Sequence, residues 1–245
     1  MYCRLERQRV HELLDRYMPM APARVADIGG GPGVHANWLI DQGYEVELLD
    51  PVRRHVDQAR ALGLSAVVGD ARRLPWGNES MDAVLMASPM YRLTRASDRC
   101  LALREAVRVV RPGGVVAAIA INRVADLIGL MLADQLQERR EIVEEILDDG
   151  YSVDDERMPT TACHTVTQLR TEMSQVLSTV TIHGLTGLGG WLTVVIDAHF
   201  KDRPLPGSFA VPDPLQTALA CARVADNHPE LVHASSLLFA VGRRA

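Results

Sequence analysis

From its N-terminus to Ile121 the chain alternates amphipathic stretches with short, continuously apolar blocks. Leu5, Val10, Leu13, Leu14 and Tyr17 recur among charges, which predicts a helix over 5–17 with one apolar stripe, ended by Pro19 and Pro22. A short apolar strand over 24–28 runs into glycines, and a helix from Val34 to Gln42 stops at Gly43. A second strand, 45–49, ends in Asp50. Pro51 opens a helix that reaches Leu62. Residues 65–68 form a third strand closed by Gly69-Asp70, and 74–78 form a turn-rich loop. A fourth strand covers 81–86, a helix 97–110, and a fifth strand 115–121 after the break at Pro112-Gly113-Gly114.

Continuously apolar strands alternating with helices point to an α/β fold with a mostly parallel sheet buried on both faces. The rhythm breaks after Asn122. Residues 123–149 look helical, with Ile128, Leu132 and Leu136 on one side and a charged face opposite, and read as an inserted helical lid. A helix over 165–175 and strands over 177–183 and 235–241 follow, bringing the sheet to seven strands. The expected organisation is a single domain over 1–245: a cofactor-binding core at 20–121, the lid at 123–160, and substrate-side strands and helices at 161–245.

A net charge of −5 argues against a long polyanion, so no nucleic-acid partner is expected. Cys3, Cys100, Cys163 and Cys221 are widely spaced and form no metal-ligand motif, which reads as reduced thiols, no metal site and a cytoplasmic protein. The charged start has no apolar segment behind it, and the longest apolar run, 115–121, is too short to span a bilayer.

The candidate chemistry sits on the strand ends. Asp27-Ile28-Gly29-Gly30-Gly31-Pro32-Gly33 joins a strand to a helix, where glycine lets backbone turn tightly and approach a ligand. Its Gly-x-Gly-x-Gly spacing departs from the Gly-x-Gly-x-x-Gly of dinucleotide loops. The preceding carboxylate suits a cationic amino group and would repel a pyrophosphate, so S-adenosylmethionine fits better than a nicotinamide dinucleotide. Asp50, ending the second strand, can bind ribose hydroxyls. Asp70-Ala71, ending the third, can hold an adenine amino group. The alternative for the loop alone is a tight structural turn, and for Asp82 a solvent-facing strand-entry acid.

With these residues in place, the sequence is similar to the class I S-adenosylmethionine-dependent methyltransferases, over Val25–Gly33, Glu45–Asp50, Val67–Leu74 and Met81–Val116. The last stretch includes Arg104-Glu105-Ala106-Val107-Arg108-Val109-Val110-Arg111-Pro112-Gly113-Gly114. Within the class it resembles an actinobacterial small-molecule branch related to quinone-ring methyltransferases, on Ser88-Pro89-Met90-Tyr91-Arg92-Leu93, Thr160–His164 and Gly189-Gly190-Trp191-Leu192. The resemblance implies a Rossmann-like sheet. It places Asp27, Gly29 and Gly31 at the methionine end of the cofactor, Asp50 and Pro51 at the ribose, Asp70 and Ala71 at the adenine, and the Ser88 backbone at the ammonium. S-adenosylhomocysteine would be the product. Two departures are visible: Arg92 stands where relatives often keep a histidine, and the chain begins at a helix that relatives usually precede with an arm closing over the cofactor.

Methyl transfer needs alignment and exclusion of water, and a base only where the acceptor must lose a proton. His164, at the start of a helix where a substrate could reach it, and Tyr91, past the fourth strand, are the catalytic candidates; the structural alternatives are an exposed cap-region histidine for His164 and a core position for Tyr91. His35 reads as a first-turn helix residue. His55, His183, His199 and His233 have no convergent partner, and Trp191 either walls a pocket or packs. The expected partner is a small-molecule acceptor, with no membrane; a homodimer is among the options. Rival readings are an amino-group methyltransferase, on a loose match of Ser88-Pro89-Met90-Tyr91, a non-methylating enzyme or binding subunit of the same fold, and a nicotinamide enzyme.

Overall fold

The computed structural model describes residues 4–132, 135–152, 160–187 and 213–245. Trp191 with Gly189, Gly190 and Leu192, and His199, lie outside them. The chain groups into two compact units, one of residues 1–14, 121–167 and 182–239, the other of 15–120, 168–181 and 240–245.

The second unit carries the parallel sheet. Strands β1 (Arg24–Ile28), β2 (Glu45–Asp50), β3 (Ser65–Val68) and β4 (Met81–Met86), with β5 (Val110–Asn122) up to residue 120, lie in the order β3-β2-β1-β4-β5, and every one of these pairs is parallel. Val25, Ala26, Ile28, Ala83, Val84, Leu85 and Val116 are fully buried, which is why these strands read as unbroken apolar runs. Helices α2 (Val34–Asp41), α3 (Arg53–Ala61), the short α4 (Pro89–Arg92) and α5 (Ala96–Val109) connect them. Pro112-Gly113-Gly114 does not separate helix from strand as expected. It bulges inside β5, where Met81 pairs Val110 but Ala83 already pairs Val115. The turn-rich loop is pinned by side chains. Glu105 accepts the Leu74 N–H at 2.8 Å, Arg108 donates to the carbonyls of Leu74 and Trp76, and Trp76 donates to Glu47.

The first unit contains most of α1 (Arg4–Tyr17), helices α6 (Val124–Leu132), α7 (Arg140–Asp149) and α9 (Pro214–Ala225), and strands β6 (Tyr151–Ser152) and β7 (Thr161–His164). Within 123–160, the segment expected to form a lid, the described helices are α6 and α7. The second, α7, buries Val143 and Ile146, ends on the left-handed Gly150, and has its last carbonyls held by Arg123, which donates to Leu147 O and Asp148 O. Strand β7 pairs parallel with the last two residues of β5, through Ile121↔Cys163 and Asn122↔His164, and antiparallel with β6. Helix α1 is tied to α9 by the buried Arg9, which donates to Asp226 at 2.5 Å, and by Arg223 on Glu12. Helix α8 (Val166–Ser174) and strands β8 (Ser178–Gly184) and β9 (Leu237–Arg243) run through the boundary between the units. The described residues thus form nine strands instead of seven, the two additions being β6 and β7. Among them, no helix is long and apolar enough to cross a membrane.

Candidate functional site

Strand β1 turns immediately after Ile28. The Gly29 N–H donates to Leu49 O at 2.7 Å, the Gly33 N–H to Gly30 O at 3.1 Å, and Gly33 enters α2 in a left-handed conformation with no side-chain cap. Gly31 has φ +58°, yet a Cβ there would meet nothing within 4 Å. Conformation therefore demands that glycine, and its open side gives a ligand access to backbone. Gly30 is required by packing, because a Cβ would run into the Asp27 carboxylate.

Asp27 lies beneath this loop, fully buried, with neither carboxylate oxygen hydrogen-bonded. Its pKa is pushed up to about 7, chiefly by burial and then by the charge of Asp50, against an opposing pull from the Ala36 backbone N–H. A buried acid without a partner is costly, and an ammonium is the group that would relieve it. The donor set therefore fits the amino acid end of S-adenosylmethionine.

Asp50, nearly buried at the end of β2, accepts from Gly31 N–H on Oδ2 at 2.9 Å, and on Oδ1 from Val52 N–H at 2.9 Å and His55 Nδ1 at 3.0 Å. Pro51 is exposed beside it and precedes α3, which begins at Arg53, two residues later than expected. Asp70 follows β3, but its carboxylate is engaged: Arg72 grips both oxygens, with Nη2 at 2.6 Å from Oδ2, and reaches on to Asp98. That guanidinium holds the Asp70 carboxyl below the usual range. Ala71 is half-buried.

Ser88, at the end of the loop after β4, donates its hydroxyl to Gly29 O at 2.9 Å, and the Tyr91 hydroxyl donates to Ser88 Oγ at 3.0 Å. Arg92 lies over the Tyr91 ring, 5.4 Å from its centroid. The fold thus brings Asp27, Gly29, Gly31, Asp50, Ser88 and Tyr91 to one loop cluster, with Asp70 and Ala71 after the strand next to β2. His164 does not stand at a helix start as expected, nor is it the exposed cap-region residue of the structural alternative. It is the last residue of β7, buried, with its carbonyl accepting from Arg123 N–H at 3.0 Å, and it belongs to the other unit. The polar threonines and histidine of Thr160–His164 disguise that segment's strand character in the sequence. Two participants carry little signal in the sequence. Arg72 sits two residues beyond the acid it grips. His55 reaches back from the third position of α3, the place where a side chain can close a capping interaction, and that spacing is the available signal. Among the described residues no group of three or more His, Cys, Asp or Glu could hold a metal ion.

Residues 25–114 match the methyltransferase domain family. An uncharacterized methyltransferase of Mycobacterium tuberculosis is 35% identical over 105 residues, 42% of this chain and 42% of that protein. A ubiquinone/menaquinone biosynthesis C-methyltransferase of Dinoroseobacter shibae is 35% identical over 112 residues, 42% of this chain and 44% of the relative. The matches therefore span about two fifths of these relatives. Among solved structures, a possible histamine N-methyltransferase of Thermotoga maritima superposes with a TM-score of 0.58 at 17% identity, covering 98% of this chain and 88% of that one, which speaks for the fold alone.

Proposed function

We propose that this chain, which carries a methyltransferase domain of the class I, S-adenosylmethionine-dependent kind over residues 25–114, transfers a methyl group to an O, N or C nucleophile of a small molecule. The observation that carries the reading is the buried, unpartnered Asp27 carboxylate under a glycine loop that Asp50 ties down through Gly31 N–H. S-adenosylmethionine supplies an activated methyl group on sulfur. Asp27 supplies negative charge for its ammonium, and Gly31 an unobstructed stretch of backbone. Asp50 accepts from the ribose. Asp70 can take the adenine amino group only by sharing its oxygens with Arg72. Ser88 and Tyr91 form the wall beyond the loop, and the Tyr91 hydroxyl, already donating to Ser88, orients that wall. A small-molecule acceptor is supported by the quinone-biosynthesis relative and by the absence of a basic, aromatic-studded stretch in the sequence. His164 is the candidate base, and the segment 123–160 the candidate lid.

Calorimetric titration with S-adenosylhomocysteine tests the site. The wild-type protein should bind, whereas Asp50→Ala and Gly31→Val should lose binding and keep their circular dichroism; unchanged affinity in both variants would sink the assignment. A methyl-transfer screen over phenols, amines and acids tests the reaction. S-adenosylhomocysteine is the expected product, and methylthioadenosine in its place would mean non-methylating chemistry.

A further inference from the structure

Helix α3 starts under a handicap. Its cap position is Val52, whose side chain cannot accept a backbone hydrogen bond, so the first turn has donors that need other partners. Asp50 serves one of them: its Oδ1 accepts the Val52 N–H at 2.9 Å, two residues along the chain. The same oxygen is met at 3.0 Å by Nδ1 of His55, the third residue of α3. The other oxygen, Oδ2, accepts the Gly31 N–H at 2.9 Å. Donors from the glycine loop, the entry to α3 and α3 itself thus fix the carboxylate plane. Oδ1 is filled by two donors, and Oδ2 keeps an acceptor site open.

The surroundings give the histidine a task. The Asp50 side chain is 6% exposed, and the buried Asp27 carboxyl stands close enough for the two charges to oppose each other. A buried carboxylate keeps one orientation only where donors hold it. Val52 and Gly31 contribute neutral backbone groups. His55 is the one side chain among the described residues that hydrogen-bonds this carboxylate, and its ring, 41% exposed, avoids the full desolvation that Asp50 bears.

We infer that His55 is a positioning residue for the cofactor site: it holds Asp50 Oδ1 so that Oδ2 faces an incoming ribose hydroxyl. This rests on the reading that Asp50 receives the ribose. Loss of the imidazole would leave Oδ1 with a single backbone donor and let the carboxylate turn away from the position in which Gly31 and the ribose share Oδ2.

The test is a double-mutant cycle on the full chain, read by titration with S-adenosylhomocysteine and by the unliganded melting temperature of each variant. His55→Ala should weaken binding by about tenfold, as loss of one hydrogen bond to a charged group does. His55→Asn, which keeps an N–H donor near the Nδ1 position, should stay within about threefold of wild type. In an Asp50→Asn background, His55→Ala should add less than about twofold, because its effect runs through the acid. A fully additive cycle, or a His55→Asn variant as weak as His55→Ala, overturns the inference. Absence of wild-type binding, or wild-type affinity in Asp50→Asn, instead overturns the cofactor reading and takes this inference with it.

Discussion

Burial and the neighbouring Asp50 charge push the Asp27 carboxyl from its ordinary 3.8 up to about 7, so the unliganded protein carries a proton there that exchanges near neutrality. The raised value means that folding favours the protonated form. Its contribution to stability is present below about pH 4 and lost as pH rises to about 7, at about 1.4 kcal/mol for each pH unit crossed between those values. A cation above the loop reverses the preference. We therefore expect affinity for S-adenosylmethionine to fall by about tenfold per pH unit below 7 and to level off above it, with proton release on binding. Asp27→Asn, a mimic of the protonated acid, should flatten that profile, weaken the cofactor and raise the melting temperature at pH 8. Titrations in buffers of different ionisation enthalpy, together with melting curves, measure all three; a pH-independent affinity would contradict the assignment. His164 belongs to the same scale. On the proposed function, His164→Ala should lower turnover more than cofactor affinity. Because the residue is buried, His164→Gln is the companion variant that limits the packing loss, and unchanged rates with the true acceptor in both would make it structural.

At the level of elements, the acids depend on how the helices after each strand are anchored. Helix α5 is held to α8 by Arg99, nearly buried, which clamps Glu172 through Nε at 2.9 Å and Nη2 at 2.6 Å and donates to Leu93 O and Thr94 O. Removing one partner of such a pair strands the other. Arg99→Ala should therefore destabilise the protein by about 3 kcal/mol, and Glu172→Gln, which preserves a hydrogen bond, by about 1 kcal/mol. Urea unfolding of both variants checks the order, and equal losses would argue against the clamp. A milder effect is expected in the first unit, where Arg123 holds the last carbonyls of α7. Arg123→Ala should cost about 1 kcal/mol and be seen as faster amide exchange confined to α7.

On the scale of the whole molecule, two compact units share a chain in which five elements run through the boundary. The parallel-sheet half is legible in the chain alone. Short, mostly apolar blocks bounded by glycine and proline, such as 24–28 and 81–86, read as buried strands, and Asp27, Asp50 and Asp70 stand at or just past the ends of theirs. The glycines of the loop were legible for the same reason, since local backbone geometry needs no distant partner. Other features depend on contacts between distant residues. Thr161–His164 becomes strand β7 because the end of β5 offers it a ladder, against its mixed composition. Pro112-Gly113-Gly114 stays inside a strand because β4 pairs on either side of the bulge. Asp70 is engaged and Asp50 is tethered because Arg72 and His55 are turned onto them, and a side chain's target depends on rotamer and neighbours, which one-dimensional spacing does not encode. The pKa of Asp27 likewise exists only in three dimensions, because it comes from buried volume and from a charge twenty-three residues away in the chain.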